Sequence, residues 1–109
     1  MPRLVRKTKT SEPDFLANTL RIAELCAKHK AIDVKAYDLR GLTVLADVFI
    51  ICSGASDPQV KAIYNSVREG MKEIGVSPKR AEGSPGVGWL LVDFGNIVLH
   101  IFREEAREF

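Results

Sequence analysis

His100 and Asp93 are the first residues in this 109-residue chain to suggest chemistry, because a histidine beside a carboxylate supplies two members of a nucleophilic triad. The third member is missing. Ser53, Ser56, Ser66, Ser77 and Ser84 all lie outside any Gly-x-Ser-x-Gly elbow. A strand histidine between apolar neighbours then reads as a hydrogen-bonded structural or interface residue. Asp33, Asp38 and Asp47 lie near the ends of the first two expected strands and could meet in space. No two have the Asp-x-Asp spacing that holds paired magnesium ions, so they read as solvated or turn-capping acids. Cys26 and Cys52 lack CxxC spacing and read as small buried apolar side chains in a reducing compartment, with no support for a disulfide. His29, between two lysines, complements the negative end of a helix and has no second ligand at metal spacing. The glycine-rich stretch from Gly83 to Gly88 resembles a phosphate loop only superficially. A strand follows it, not a helix, and Gly-Lys-Ser/Thr is absent.

What remains is a surface. Trp89 offers large contact area at low entropy cost, and it falls on a strand face shared with Leu91, His100 and Phe102. Glu82, just before the glycines, is a turn-stabilising or partner-contacting acid.

The elements that must position these residues follow from periodicity. Ser11-Glu12-Pro13-Asp14 predicts a helix start, with a hydroxyl cap, an early proline and a carboxylate that answers the cap. Leu16, Leu20, Ala23 and Ala27 then form an apolar stripe, widened by Phe15, Ile22 and Cys26, up to Lys28-His29-Lys30. Residues 34–39 read as a short strand and Arg40-Gly41 as a turn. Residues 48–52 form a continuous apolar run, the pattern of a central strand covered on both faces. Asp57-Pro58 then caps a second helix carrying Val60, Ile63, Val67, Met71 and Ile74, which Gly75 closes. Residues 77–82 give another short strand before the glycine-rich loop.

Strands over 89–94 and 97–102 flank Gly95-Asn96, a hairpin turn signal that sets the register. Phe94 opposes Ile97, Val92 opposes Leu99 and Leu90 opposes Ile101, an apolar face that must be core. On the other face Trp89 opposes Phe102, Leu91 opposes His100 and Asp93 opposes Val98, leaving Asp93 diagonal to His100 and placed to interact with it. That face is either covered by a helix or offered to a partner. The fold class is therefore α/β, a mixed sheet of about five strands with flanking helices.

Length and composition agree with one domain over residues 11–109 behind a flexible basic tail, residues 1–10. A chain this size buries roughly 65% of its extended surface, enough for one core without metal or disulfide. At 46% apolar and 28% charged residues it has a globular mixture. The longest apolar run is far below the roughly 20 residues that span a bilayer, and no signal-peptide block stands at the start, so a cytoplasmic protein is expected. The net charge of +2 does not describe the domain. Arg3, Arg6, Lys7 and Lys9 carry the excess, and the other 99 residues hold 12 basic and 14 acidic side chains. The body has no basic footprint for specific nucleic-acid binding.

Six stretches, taken in order, resemble the ribosomal silencing factor family, also called Iojap. They are Asp38-Leu39-Arg40-Gly41-Leu42, residues 46–54, Gln59-Val60-Lys61-Ala62-Ile63, Glu82-Gly83, Trp89 with Asp93 and Gly95, and residues 98–102. The resemblance spans about residues 14 to 109. It implies a nucleotidyltransferase-like topology without catalytic acids, no cofactor or metal, and binding in place of enzymatic activity. The implied partner is the large ribosomal subunit, reached through its L-fourteen protein, where the domain blocks small-subunit joining and represses translation under nutrient limitation. Carried over by motif, Trp89, Asp93, Phe94, His100 and Glu82 form the implied partner-binding set. The register turns Phe94 toward the core, against its place in this set, and only its position at the hairpin tip leaves room for exposure. A homodimer sharing part of this surface is also implied. Family chains continue past Arg107-Glu108-Phe109, so the helix begun at Arg103-Glu104-Glu105 is expected to be short. Two competing classes make distinct predictions. A nucleotidyltransferase-like enzyme would bind ATP with help from a divalent metal. An RNA-binding module using the tail would lose affinity steeply with salt.

Overall fold

The computed structural model describes residues 12–44 and 46–108. The basic tail, the Ser11 cap and Phe109 fall outside the described residues. The chain runs α1 (Glu12–Lys28), β1 (Ile32–Asp38), β2 (Val48–Gly54), α2 (Asp57–Lys72), β3 (Arg80–Ser84), β4 (Trp89–Asp93) and β5 (Ile97–Arg103), with 3-10 turns at Pro85–Val87 and Glu104–Glu108. This is the expected mixed α/β fold. The sheet order is β1-β2-β5-β4-β3, with β2 and β5 parallel and every other pairing antiparallel.

The centre of the sheet corrects one expectation. β5, the last strand, inserts between β2 and β4 and takes the middle, so residues 48–52 lie beside the centre. Nor is β2 covered on both faces. Val48, Ile50 and Cys52 are buried against the helices, whereas Phe49 and Ile51 on the opposite side stay partly exposed.

One core lies between the sheet and the two helices. Phe15, Ile22 and Cys26 of α1 join Val60, Ile63, Val67 and Met71 of α2 above Leu90, Val92, Ile97, Leu99 and Ile101. The helices pack closely because Gly70 leaves room for Leu25, whose side-chain carbons would lie 2.5 and 2.6 Å from an added Cβ. Arg21 strengthens the seam by donating to the Gly70 carbonyl at 2.9 and 3.1 Å.

The phase of α1 differs from the expected one. Leu16 and Leu20 are 49% and 61% exposed, while Phe15, Ile22 and Cys26 point inward. Two apolar stripes lie side by side on this helix, and volume decides between them, because the bulkier Phe-Ile-Cys set meets the sheet and the leucine and alanine set turns outward. Cys26 meets Cys52 across the interface, and their hydrogen bond together with burial pushes the Cys26 thiol well above its ordinary range. Both cysteines are free and buried, in accord with the apolar reading.

The helix ends show why the chain turns where it does. Ser56, not Asp57, caps α2: its backbone is extended and its hydroxyl accepts the Gln59 amide at 3.2 Å. Asp57 instead occupies the first turn and pairs with Arg103 at 2.7 Å. At the other end the Gly75 amide donates to Lys72 and the Val76 amide to Met71, a Schellman stop with Gly75 at φ 81°. Ile74 lies past the helix and is 46% exposed, so it does not extend the core stripe. The same pair of bonds ends α1, from Lys30 to Ala27 and Ala31 to Cys26, but here Lys30 takes the left-handed position at φ 63°. Gln59 secures that end by donating to the His29 and Lys30 carbonyls while accepting the Ala55 amide.

The third strand runs later than residues 77–82 and includes Gly83 and Ser84. The glycine-rich stretch is consequently shorter than expected and ordered by pairing: Pro85–Val87 makes one 3-10 turn that Gly88 closes onto the Pro85 carbonyl at 3.0 Å. Among the described residues no helix is long and apolar enough to cross a membrane.

Candidate functional site

The expected hairpin register is present residue for residue, so the polar-mixed face can be followed across the whole sheet. Its side chains form three transverse rows. One row runs Tyr37, Phe49, Val98, Asp93, Arg80; the next runs Lys35, Ile51, His100, Leu91, Glu82; the last runs Ser53, Phe102, Trp89, Ser84. Both helices pack on the opposite face, through the core described above. The mixed face is therefore not covered by either helix.

Its centre is a ring cluster around His100. Phe49 lies 4.7 Å away, centroid to centroid, tilted at 60°. Phe102 stacks at 6.2 Å and 7°, and Trp89 at 6.5 Å and 28°. The Trp89 Nε1–H donates to His100 Nδ1 at 3.4 Å. His100 Nε2 is enclosed and has no hydrogen-bond partner among the described residues. Burial lowers the His100 pKa from its ordinary 6.5, because the rings cannot solvate an imidazolium.

The corner of this face is polar. Asp93 accepts the Gly95 amide at 2.8 Å and Arg80 Nε at 3.1 Å, and Arg80 also pairs with Glu82. Asp93 thus fixes the hairpin turn, where Gly95 takes φ 101°. Its hydrogen bonds run away from His100, so the diagonal pair expected from the sequence is not made. Glu82 and Trp89 are linked through Gly83. With φ at 85°, a Cβ on Gly83 would lie 2.2 Å from the Trp89 carbonyl oxygen, so only glycine lets the two strands close here.

Of the five residues expected to meet a partner, four lie on or at the edge of this face: Trp89, Asp93, His100 and Glu82. Phe94 does not. It is 8% exposed and belongs to the core, with its amide bonded to the Ile97 carbonyl at 2.9 Å, so register prevails over its place at the turn. Sequence reasoning missed Tyr37, Phe49 and Ile51 on the same face. The signal was present as alternation within β2, hidden because both alternating sets are apolar.

Of the three carboxylates that could have met, Asp33 and Asp38 are held apart by β1, while Asp47 lies beside the end of that strand, its carbonyl accepting the Leu39 amide at 2.7 Å. Asp33 sits near the start of β1 and Asp38 at its end, five residues along an extended strand. Asp38 accepts the Arg40 amide at 3.1 Å and its guanidinium at 2.9 and 2.8 Å, which holds the carboxyl down at about 2. That guanidinium also lies 4.8 Å above the Phe15 ring. Asp38 is thereby a structural acid of the Arg40-Gly41 turn. Among the described residues no group of three His, Cys, Asp or Glu side chains is placed to hold a metal ion. Ser56 caps α2 and the Ser66 hydroxyl donates to the Leu25 carbonyl, so each has a structural bond.

Comparison with known proteins points the same way as this geometry. The model of the family described as "Ribosomal silencing factor during starvation" matches residues 12–109. A ribosomal silencing factor of Bacillus subtilis is 38% identical over 87 residues, covering 80% of this chain and 74% of that protein. The chloroplastic Iojap protein of Arabidopsis thaliana is 30% identical over 107 residues, 94% of this chain but 44% of that longer protein. A crystal structure from Chromobacterium violaceum superposes with a TM-score of 0.82 at 33% identity, covering 86% of this chain and 78% of that one.

Proposed function

This chain belongs to the ribosomal silencing factor family, and from that premise we propose that it docks on the large ribosomal subunit through the L-fourteen protein and keeps the small subunit from joining. Translation then falls when nutrients are short. The observation that carries this reading is the open sheet face, where Trp89, Phe49, Ile51, Leu91 and Phe102 stay partly exposed beside the polar Asp93, Arg80 and Glu82 corner. An apolar centre with a polar rim is the anatomy of a protein interface, and an indole at its heart suits a binding hot spot.

The mechanism is steric and needs no bond to be made or broken. A domain held at the subunit interface occupies space that the other subunit requires, so affinity and position suffice. Trp89 supplies contact area, His100 accepts its indole N–H while packing on Phe49, and Glu82 with Asp93 offers charge at the rim. Phe94 contributes from the core by holding the hairpin turn. A second copy could use part of the same face in a homodimer, in competition with the ribosome. The protein acts in the cytoplasm on this reading, without cofactor, membrane or specific nucleic acid.

Cosedimentation with separated subunits tests it. The full chain should pellet with large subunits and not small ones, and deletion of residues 1–10 should leave that preference intact. Equal binding to both subunits, or binding that vanishes with the tail and with salt, would replace docking by general attraction to RNA.

A further inference from the structure

We infer that His100 is a positioning residue: as a neutral imidazole it holds the Trp89 indole in place on the open face, and its protonation releases that indole. The inference deepens the docking reading and rests on it for its biological meaning, but its geometry is independent of any partner.

Three observations converge. First, Trp89 Nε1–H is a donor only, so His100 Nδ1 must carry a lone pair to accept it. The imidazole proton then resides on Nε2. Second, Nε2, which then carries the imidazole proton, is enclosed without a partner among the described residues, so no acceptor there stabilises the positive charge that protonation at Nδ1 would add. Third, Phe49 and Phe102 flank the imidazole at 4.7 and 6.2 Å and narrow its access to the water an imidazolium would need. Protonation at Nδ1 sets two donors against each other, and the bond to Trp89 is lost.

Charged groups nearby do not cancel this. On β4 the only titratable neighbour on the face is Asp93, held by Arg80 and the Gly95 amide; on β3 Glu82 is held by the same arginine. On β1, beyond Ile51, Lys35 pairs with Asp33 at 3.8 Å, and Tyr37 stands in the next row. β2 contributes only Phe49, Ile51 and Ser53 to this face. The 3-10 turn after β5 brings Glu105, paired with Arg103 at 2.6 Å. No free carboxylate among these faces the imidazole to stabilise its cation. Burial lowers the His100 pKa below its ordinary 6.5, so the folded arrangement is complete above that pH and is lost as the pH falls through the lowered value.

The chain has a single tryptophan, so its fluorescence reports Trp89 alone. A contacting imidazolium quenches an indole, and a released indole shifts its emission. Titration of the full chain from pH 8 to pH 4 should give one emission transition with a midpoint below 6.5, while far-UV circular dichroism stays constant. His100→Gln keeps an acceptor for the indole and cannot titrate, so it should remove the transition; His29→Gln should not. Large-subunit affinity should fall several-fold across the same transition in the wild type and stay level in His100→Gln. A flat wild-type titration, a midpoint at or above 6.5, an unchanged transition in His100→Gln, or one that coincides with unfolding overturns the inference. If His100→Gln does not fold, the His100 ring resonances of the wild type decide by NMR, and a pKa at or above 6.5 again overturns it. Loss of large-subunit binding alongside a normal fluorescence titration would overturn the docking reading instead.

Discussion

The two faces of the sheet are built from the same strands and differ only in which alternate residues they show. Ile50, Leu99, Ile101 and Val92 on the covered face are fully buried under two helices and carry no polar side-chain atom. One residue along each strand, Phe49, His100, Phe102 and Leu91 are partly exposed, with both phenylalanine rings packed on the imidazole. The first face has been optimised for packing density, where each methylene counts toward stability. The second keeps large rings at a surface that folding alone does not require, which is where a partner gains most. Stability and binding should therefore separate by side-chain parity.

The largest break in that separation comes from the covered face. Leu99→Ala should destabilise the domain by about 2 to 5 kcal/mol through lost burial and a residual cavity, read by urea denaturation. Its effect on large-subunit binding should track only the unfolded fraction. Next is Gly83→Ala, which strains a positive φ and drives a methyl into the Trp89 carbonyl. A loss of about 1 to 3 kcal/mol is expected, with weakened docking because the strand carrying Trp89 must shift. Asp93→Asn sharpens the comparison at the rim. Asparagine can still accept the Gly95 amide, so the turn should persist within about 1 kcal/mol of wild-type stability, while the charge offered to a partner is gone. Wild-type affinity in that variant would limit Asp93 to its structural role. The smallest effect lies in the helical layer: Lys30→Gly relieves a left-handed lysine and should stabilise by about 0.5 to 1 kcal/mol without touching binding.

How much of this was legible depended on whether one physical signal spoke alone. The Gly95-Asn96 turn set the hairpin register, and with it the two faces, because a one-residue slip would turn every apolar side chain outward. The start of α2 slipped by one residue, since Ser56 and Asp57 are both good caps and only the extended Ser56 backbone decides between them. In α1 the Leu16-Leu20 stripe and the Phe15-Ile22-Cys26 stripe compete, and choosing required knowing the volume available above the sheet. For β2, an all-apolar run implied two covered faces; it instead supplies core on one side and Phe49 with Ile51 to the open surface on the other. Phe94 shows the reverse failure, where a family motif suggested a surface residue and the pleat buried it. The role of Gln59 in tying the end of α1 to the start of α2 left no local pattern to read.

The docking proposed above runs through the open face, with Trp89 as its principal contact. The most direct test is the affinity of Trp89→Ala for purified large subunits, measured beside its unfolding free energy. The prediction is a loss of more than about 30-fold in affinity, the scale of a hot-spot deletion, in a domain that remains folded at the assay temperature. Wild-type affinity in a folded Trp89→Ala protein would contradict it and move the docking surface off this face.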